Sequence, residues 1–133
     1  MRKKLFEVSS FFIFPFCVFL FSLFIDHSFN AYVIFPWIDI PMHFLGGFSI
    51  AYTSVLFLKF FHKEKLISIN NLILFVFVIV SFVMVIAVLW EFWEYLMDFV
   101  FGTSFQLGLE DSLFDLFMGM FGGFVGAIIF RKV

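Results

Sequence analysis

Residues 71–98 read NLILFVFVIVSFVMVIAVLWEFWEYLMD. No charged residue interrupts the run from Leu72 to Trp90. A helix crossing the hydrocarbon of a bilayer needs about 20 apolar residues, so the spacing predicts a membrane span over 72–97. Yet Glu91 and Glu94 stand one helical turn apart shortly before it ends. An ionised carboxylate at the centre of a membrane helix costs about 2.5–3.5 kcal/mol on the mildest scale. Such residues are expected to face a bundle interior and to have a partner there.

The surrounding chain supports this reading. Of its 133 residues 64% are hydrophobic, with a mean hydropathy of +1.14. A soluble domain is about half apolar, so this chain has too little polar surface to cover a core in water. The fold class expected is all-α: a single integral membrane domain over 1–133, built as a four-helix bundle with spans at about 5–25, 40–61, 72–97 and 111–130. The 27 phenylalanines are read as a product of apolar composition rather than as aromatic cages. MRKK ahead of an apolar run resembles a signal peptide, but the run is long for one and no A-x-A-like site follows Ile25; a retained helix is expected. Cys17 is the only cysteine, which excludes a disulfide or cysteine-metal framework within the chain.

Positive residues set orientation. Arg2, Lys3 and Lys4 precede the first span, Lys59, Lys63 and Lys65 lie at the second connection, and Arg131 and Lys132 follow the fourth span. Four spans put all eight on one side, so both termini are expected in the cytoplasm and the protein in the cell membrane as a multi-pass chain. The acids fall oppositely. Apart from Glu7 and Glu64, they occupy the two outer loops or the helix turns beside them: Asp26, Asp39, Glu91, Glu94, Asp98, Glu110, Asp111 and Asp115.

Helical spacing groups the polar residues on shared faces: Asp39 with His43 and Asp111 with Asp115 at i,i+4, Glu91 with Glu94 at i,i+3. At 1.5 Å per residue, Glu94, His43 and Asp115 each lie about 6 Å inside their spans and Glu91 about 10 Å. Four-helix bundles build metal sites from inward-facing carboxylates and histidines of this kind. His43, Glu91, Glu94, Asp115, Asp39 and Asp111 are therefore candidate ligands of a divalent metal cation, with Glu91, Glu94 and His43 as candidate catalytic groups. Plainer roles compete. Asp39 before Ile40-Pro41 also fits a helix N-cap, and Ser112 to Asp115 fits a capping box. Asp26, Asp98 and Glu110 read as solvated loop charges. Both outer loops are aromatic-rich, over 32–38 and 99–105, and are expected to cover the site. Gly119, Gly122, Gly123 and Gly126, with Gly46, Gly47 and Ala51, give spans 4 and 2 small faces suited to close approach in lipid. They predict packing of these two spans, with homodimerisation through span 4 as the lesser alternative.

The ordered set D39-x-x-x-H43-F-x-x-G, E91-x-x-E94 and D111-x-x-x-D115 before a glycine-rich helix resembles VanZ-like membrane proteins and the related YjdF-like family. The likeness covers roughly residues 36–127. VanZ-like proteins often have Gln at the position of Glu94 and Asn at that of Gly119, so the chain is more similar to the YjdF-like branch. The resemblance implies a compact bundle with signature positions Asp39, His43, Glu91, Glu94, Asp111 and Asp115, and no settled activity.

Three functions follow from the residues. One is a small envelope protein whose acidic pocket binds a cation, a proton or a lipid head group, supporting envelope homeostasis. Another is a metal-dependent intramembrane enzyme acting on a lipid-linked precursor; with no Lys or Arg on this face, the metal would anchor any anionic substrate. The third is a structural protein whose polar groups hold helices together. Membrane lipid is the expected partner. The acidic outer face and sparse cytoplasmic charge disfavour nucleic acid.

Overall fold

The computed structural model describes residues 2–132. Met1 and Val133, the ends of the expected domain, lie outside the described residues, as do the side chains of Arg2, Lys3 and Leu5. The described chain is helical with no strand. Helices α1 (Arg2–Ser10) and α2 (Ile13–Phe29) form the first span, and α3 (Ala31–Ile34) is one turn. A 3-10 turn, Pro36–Ile38, leads into α4 (Asp39–Lys63), followed by α5 (Leu72–Phe101) and α6 (Leu109–Phe130). Four stretches are long and apolar enough to cross a membrane: Phe6–Phe29, Pro36–Lys63, Leu72–Phe101 and Leu109–Phe130. They match the spans expected from sequence to within four residues at each end, the first starting one residue later and the other differences lying outward.

Local chemistry sets the ends. The Asn71 side chain accepts the Leu74 N–H at 3.0 Å and caps α5. Gly102, at φ 66°, takes the left-handed conformation that closes a helix C-terminus, and its N–H returns to the Asp98 carbonyl. The break between α1 and α2 has a proline behind it. Pro15 has no N–H to offer the carbonyl four residues back, which is that of Phe11. Thr53 of α4 donates to that Phe11 oxygen instead, at 2.7 Å, so the freed acceptor ties α2 to its neighbour.

The centre of the bundle is the pair α4 and α6, with α5 packed against both and α2 lying on α4. Glycine sets the α4–α6 separation. A Cβ on Gly47 would sit 2.0 Å from the Gly119 carbonyl oxygen, and one on Gly122 would sit 2.1 Å from that of Phe44. The expected packing of spans 2 and 4 is thus present, and it uses the glycine face of α6 within the chain. Gly119, Gly122, Gly123 and Gly126 are all buried there, so a second copy would have to meet α6 on its phenylalanine-bearing side.

The interior is small and the exterior large. Ala51, Val55, Ile79, Val83 and Ala127 form one buried cluster and Ile25, Ala31 and Met42 a second, while Phe77, Phe99, Phe101 and many other aromatics face outward. Hydrocarbon outside removes the usual penalty for exposed apolar groups. Helix association there depends on close packing, which small residues permit.

The two ends of the bundle differ in charge. At one end Lys4 pairs with Glu64, and Lys63 with Glu7 at 3.3 Å, fastening α1 to the end of α4. His43 and the clustered carboxylates occupy the other.

Candidate functional site

Asp39 is the first residue of α4 and His43 lies one turn further, on the same face. His43 Nε2 stands 3.4 Å from Asp39 Oδ1 and 3.8 Å from Asp115 Oδ1 of α6. The close α4–α6 contact makes this possible, because the glycines let the two backbones approach one turn below the site. Glu91 and Glu94 enter from α5. Ligand atoms of Asp39, His43 and Asp115 lie within 4.8 Å of one another, and so do those of His43, Glu91 and Glu94. His43 belongs to both groups.

Burial singles out two carboxylates. Asp115 is 3% exposed and Glu91 8%. Glu94 has a partner, since Trp90 Nε1 donates to its Oε1 at 2.8 Å. Glu91 Oε2 is buried with no hydrogen-bond partner among the described residues. Unsatisfied buried polar atoms are rare because leaving one costs about 1–3 kcal/mol, more when charged. Two bare carboxylates at about 5 Å repel by about 3 kcal/mol even at an effective dielectric near 20. Among the described residues, no Lys or Arg is within ion-pair distance of Asp39, Glu91, Glu94 or Asp115 to offset this. The arrangement offers one nitrogen and several carboxylate oxygens in two groups joined at His43.

Five of the six candidate ligands expected from sequence fall in two groups that share His43: Asp39 and Asp115 in one, Glu91 and Glu94 in the other. Asp111 falls in neither. Its carboxylate accepts the Leu107 N–H at 3.2 Å and holds the loop before α6. The two capping expectations are corrected. The residue before α4 is Ile38 and Asp39 makes no capping hydrogen bond. Helix α6 starts at Leu109, with Gly108 before it, so Ser112 and Asp115 lie past the first turn and cannot form a capping box. Helix α5 continues four residues beyond Met97, which puts Glu91 and Glu94 about 6 Å deeper from its end than expected.

Asp98 is also corrected. It lies in the last turn of α5 rather than in a loop, and it accepts Thr103 Oγ1 at 2.6 Å and the backbone N–H groups of Phe105 and Gln106 at 2.8 and 3.0 Å. Gln106 Nε2 in turn donates to Ser112 Oγ at 2.9 Å. These bonds fold residues 102–108 back over the end of α5 and α6. The signal was Asp98 four residues ahead of Gly102, a helix stop with an acceptor in place. Sequence reasoning also missed Trp90 as the donor to Glu94, and the hydroxyl pair Ser22–Tyr32 that joins α2 to the turn before α4. Burial raises the Tyr32 phenol above its ordinary range. The aromatics at this level form a row: Phe19 edge-on to Trp90, Trp90 on Trp93, and Trp93 stacked on Phe105 at 5.8 Å.

A family model described as "Predicted membrane protein (DUF2238)" matches residues 1–133. No curated protein and no solved structure matches the chain.

Proposed function

The chain belongs to the DUF2238 family of membrane proteins, and we propose that it acts by binding a divalent cation in the His43–Glu91–Glu94 group, with Asp115 and Asp39 grouped on the same His43. The observation that carries this reading is Glu91: a carboxylate inside the bundle, with one oxygen unpartnered, within reach of His43 and Glu94. A cation would satisfy that oxygen and offset the repulsion among its neighbours. One imidazole with several carboxylates is a mixed donor set, which suits manganese, iron or zinc better than the all-oxygen shells of calcium or magnesium.

A neutral imidazole ligates through one nitrogen while the other carries its proton. His43 therefore serves one ion at a time, and one ion per chain is the expected stoichiometry. Asp39, at the rim, and Trp90, holding Glu94, complete the surround. By the distribution of basic residues, both termini face the cytoplasm and the cluster opens toward the outer leaflet of the cell membrane. That position fits a role in envelope homeostasis. The same ordered acidic motifs underlie the likeness to VanZ-like and YjdF-like proteins.

The test is metal content of the purified protein in lipid nanodiscs by elemental mass spectrometry, after reconstitution with Mn²⁺, Fe²⁺ or Zn²⁺ in turn. About one ion per chain is expected in the wild type, lost in Glu91→Gln and in His43→Ala and kept in Asp111→Asn. A wild type that takes up none of the three, or equal uptake by Glu91→Gln, would overturn the assignment.

A further inference from the structure

The end of the bundle away from the carboxylates carries a different site. The last turns of α4, the 64–71 connection, the start of α5 and the end of α6 border a half-open cavity of about 300 Å³, at the small end of ligand pockets. Lys59, Lys63 and Arg131 line it, and no carboxylate does. Lys63 also reaches Glu7. Among the described residues, neither Lys59 nor Arg131 has a carboxylate within ion-pair distance. Lys59 is half-buried.

Helix ends account for part of this charge and not all of it. The C-termini of α4 and α6 each present roughly half a negative charge, which together with Glu7 leaves the cavity net positive. The N-terminus of α5 lies in the same wall and favours anions. Asn71 adds to this: its carbonyl oxygen is occupied by the Leu74 N–H, which leaves its NH₂ group as a donor. His62 and Asn70 complete the polar lining, and Leu58, Ile67 and Phe75 supply an apolar wall.

We propose that this cavity binds the phosphate of an anionic lipid head group. Lysine, arginine and amide donors lining one cavity, with Glu7 drawn to Lys63 alone among its three cations, are the chemistry of phosphate recognition. Basic pockets between membrane helices at this level take lipid head groups. Free phosphate offers the same oxygens, but the apolar wall favours a ligand whose phosphate continues into glycerol and acyl chain.

Native mass spectrometry of the full chain, titrated with phosphatidylglycerol and with phosphatidylcholine, tests this. Phosphatidylglycerol is expected to bind at least about tenfold more tightly, with about tenfold loss in Lys59→Gln or Arg131→Gln and recovery in Lys59→Arg. Lys65→Gln removes an equal charge at the same level but outside the cavity, and is expected to change affinity less than about twofold. Inorganic phosphate at millimolar concentration separates the sources. No competition from it supports the lipid, and binding of phosphate equal to that of the lipid overturns the lipid assignment. Equal losses in Lys59→Gln and Lys65→Gln, or no preference for phosphatidylglycerol, would show only diffuse surface attraction and overturn the site.

Discussion

Glu91 is where the energetics of the molecule are most exposed to experiment. Its unpartnered oxygen destabilises the cation-free bundle, because a carboxylate has been taken out of water without a full set of replacements. Glu91→Leu removes both the polar group and its need for a partner, and such replacements are often neutral or stabilising. The thermal midpoint of cation-free Glu91→Leu is therefore expected to equal or exceed that of the cation-free wild type. Saturating Mn²⁺ or Zn²⁺ should reverse the order. A ligand at 100 times its dissociation constant stabilises the native state by about 2.7 kcal/mol, and only the wild type can gain this. Thermal melts in nanodiscs with and without metal check both halves; a wild type whose midpoint ignores every divalent ion would sink the linkage. Much of the site was readable at this scale, since charge inside an apolar run demands a partner. Spacing alone could not tell Asp115 from Asp111. Both lie on one face of α6, and only the observed start at Leu109 puts the first in the interior and the second against Leu107.

Among the elements, α4 and α6 carry the site because glycine lets them touch. Gly122→Ala would place a methyl 2.1 Å from the Phe44 carbonyl oxygen, and backbone on the receiving side cannot swing away as a side chain can. The expected cost is at least the 1–3 kcal/mol typical of overpacking, roughly, with loss of cation affinity because His43 and Asp115 are pushed apart. Gly46→Ala is the control, since no atom lies within 4 Å of a Cβ there, and it should melt with the wild type. Equal melting of the two variants would show that the close crossing is not required. The break before α2 supports a second expectation. Thr53→Val removes the hydroxyl that satisfies the Phe11 carbonyl and should cost about 1 kcal/mol or somewhat more, the value of a buried hydrogen bond whose acceptor is then orphaned. Pro15→Ala in the Thr53→Val background should restore part of it by returning an N–H to the same oxygen, which the midpoint of the double variant reads directly. Helix count and the α4–α6 pairing were legible because hydropathy and small-residue spacing are local signals. The break at Phe11–Phe12 was not, because the donor that satisfies the Phe11 carbonyl, Thr53, comes from across the tertiary structure; nor was the fold of residues 102–108, because hydropathy does not mark Asp98 as the acceptor that gathers the loop.

The whole molecule is polarised. Basic residues gather at one end, where Lys4 and Lys63 pair with Glu64 and Glu7; the converging carboxylates take the other, with His43 among them. A chain with such an asymmetry is expected to insert one way, with its lysines and arginines held on the cytoplasmic side. That orientation decides which compartment supplies the cation and which leaflet supplies the lipid, so it bears on both sites at once. Cys17 is the single cysteine, and replacing it by serine gives a background for accessibility labelling. Ser104, in the loop tied down by Asp98, is exposed and makes none of the loop's hydrogen bonds, while Lys65 is exposed in the connection between α4 and α5. In intact cells a membrane-impermeant maleimide should label Ser104→Cys and spare Lys65→Cys until the membrane is permeabilised. The opposite pattern would turn the molecule over, placing the carboxylate cluster toward the cytoplasm and the basic cavity in the outer leaflet. Labelling of both before permeabilisation would mean two orientations in one population, which the one-sided distribution of all eight basic residues argues against.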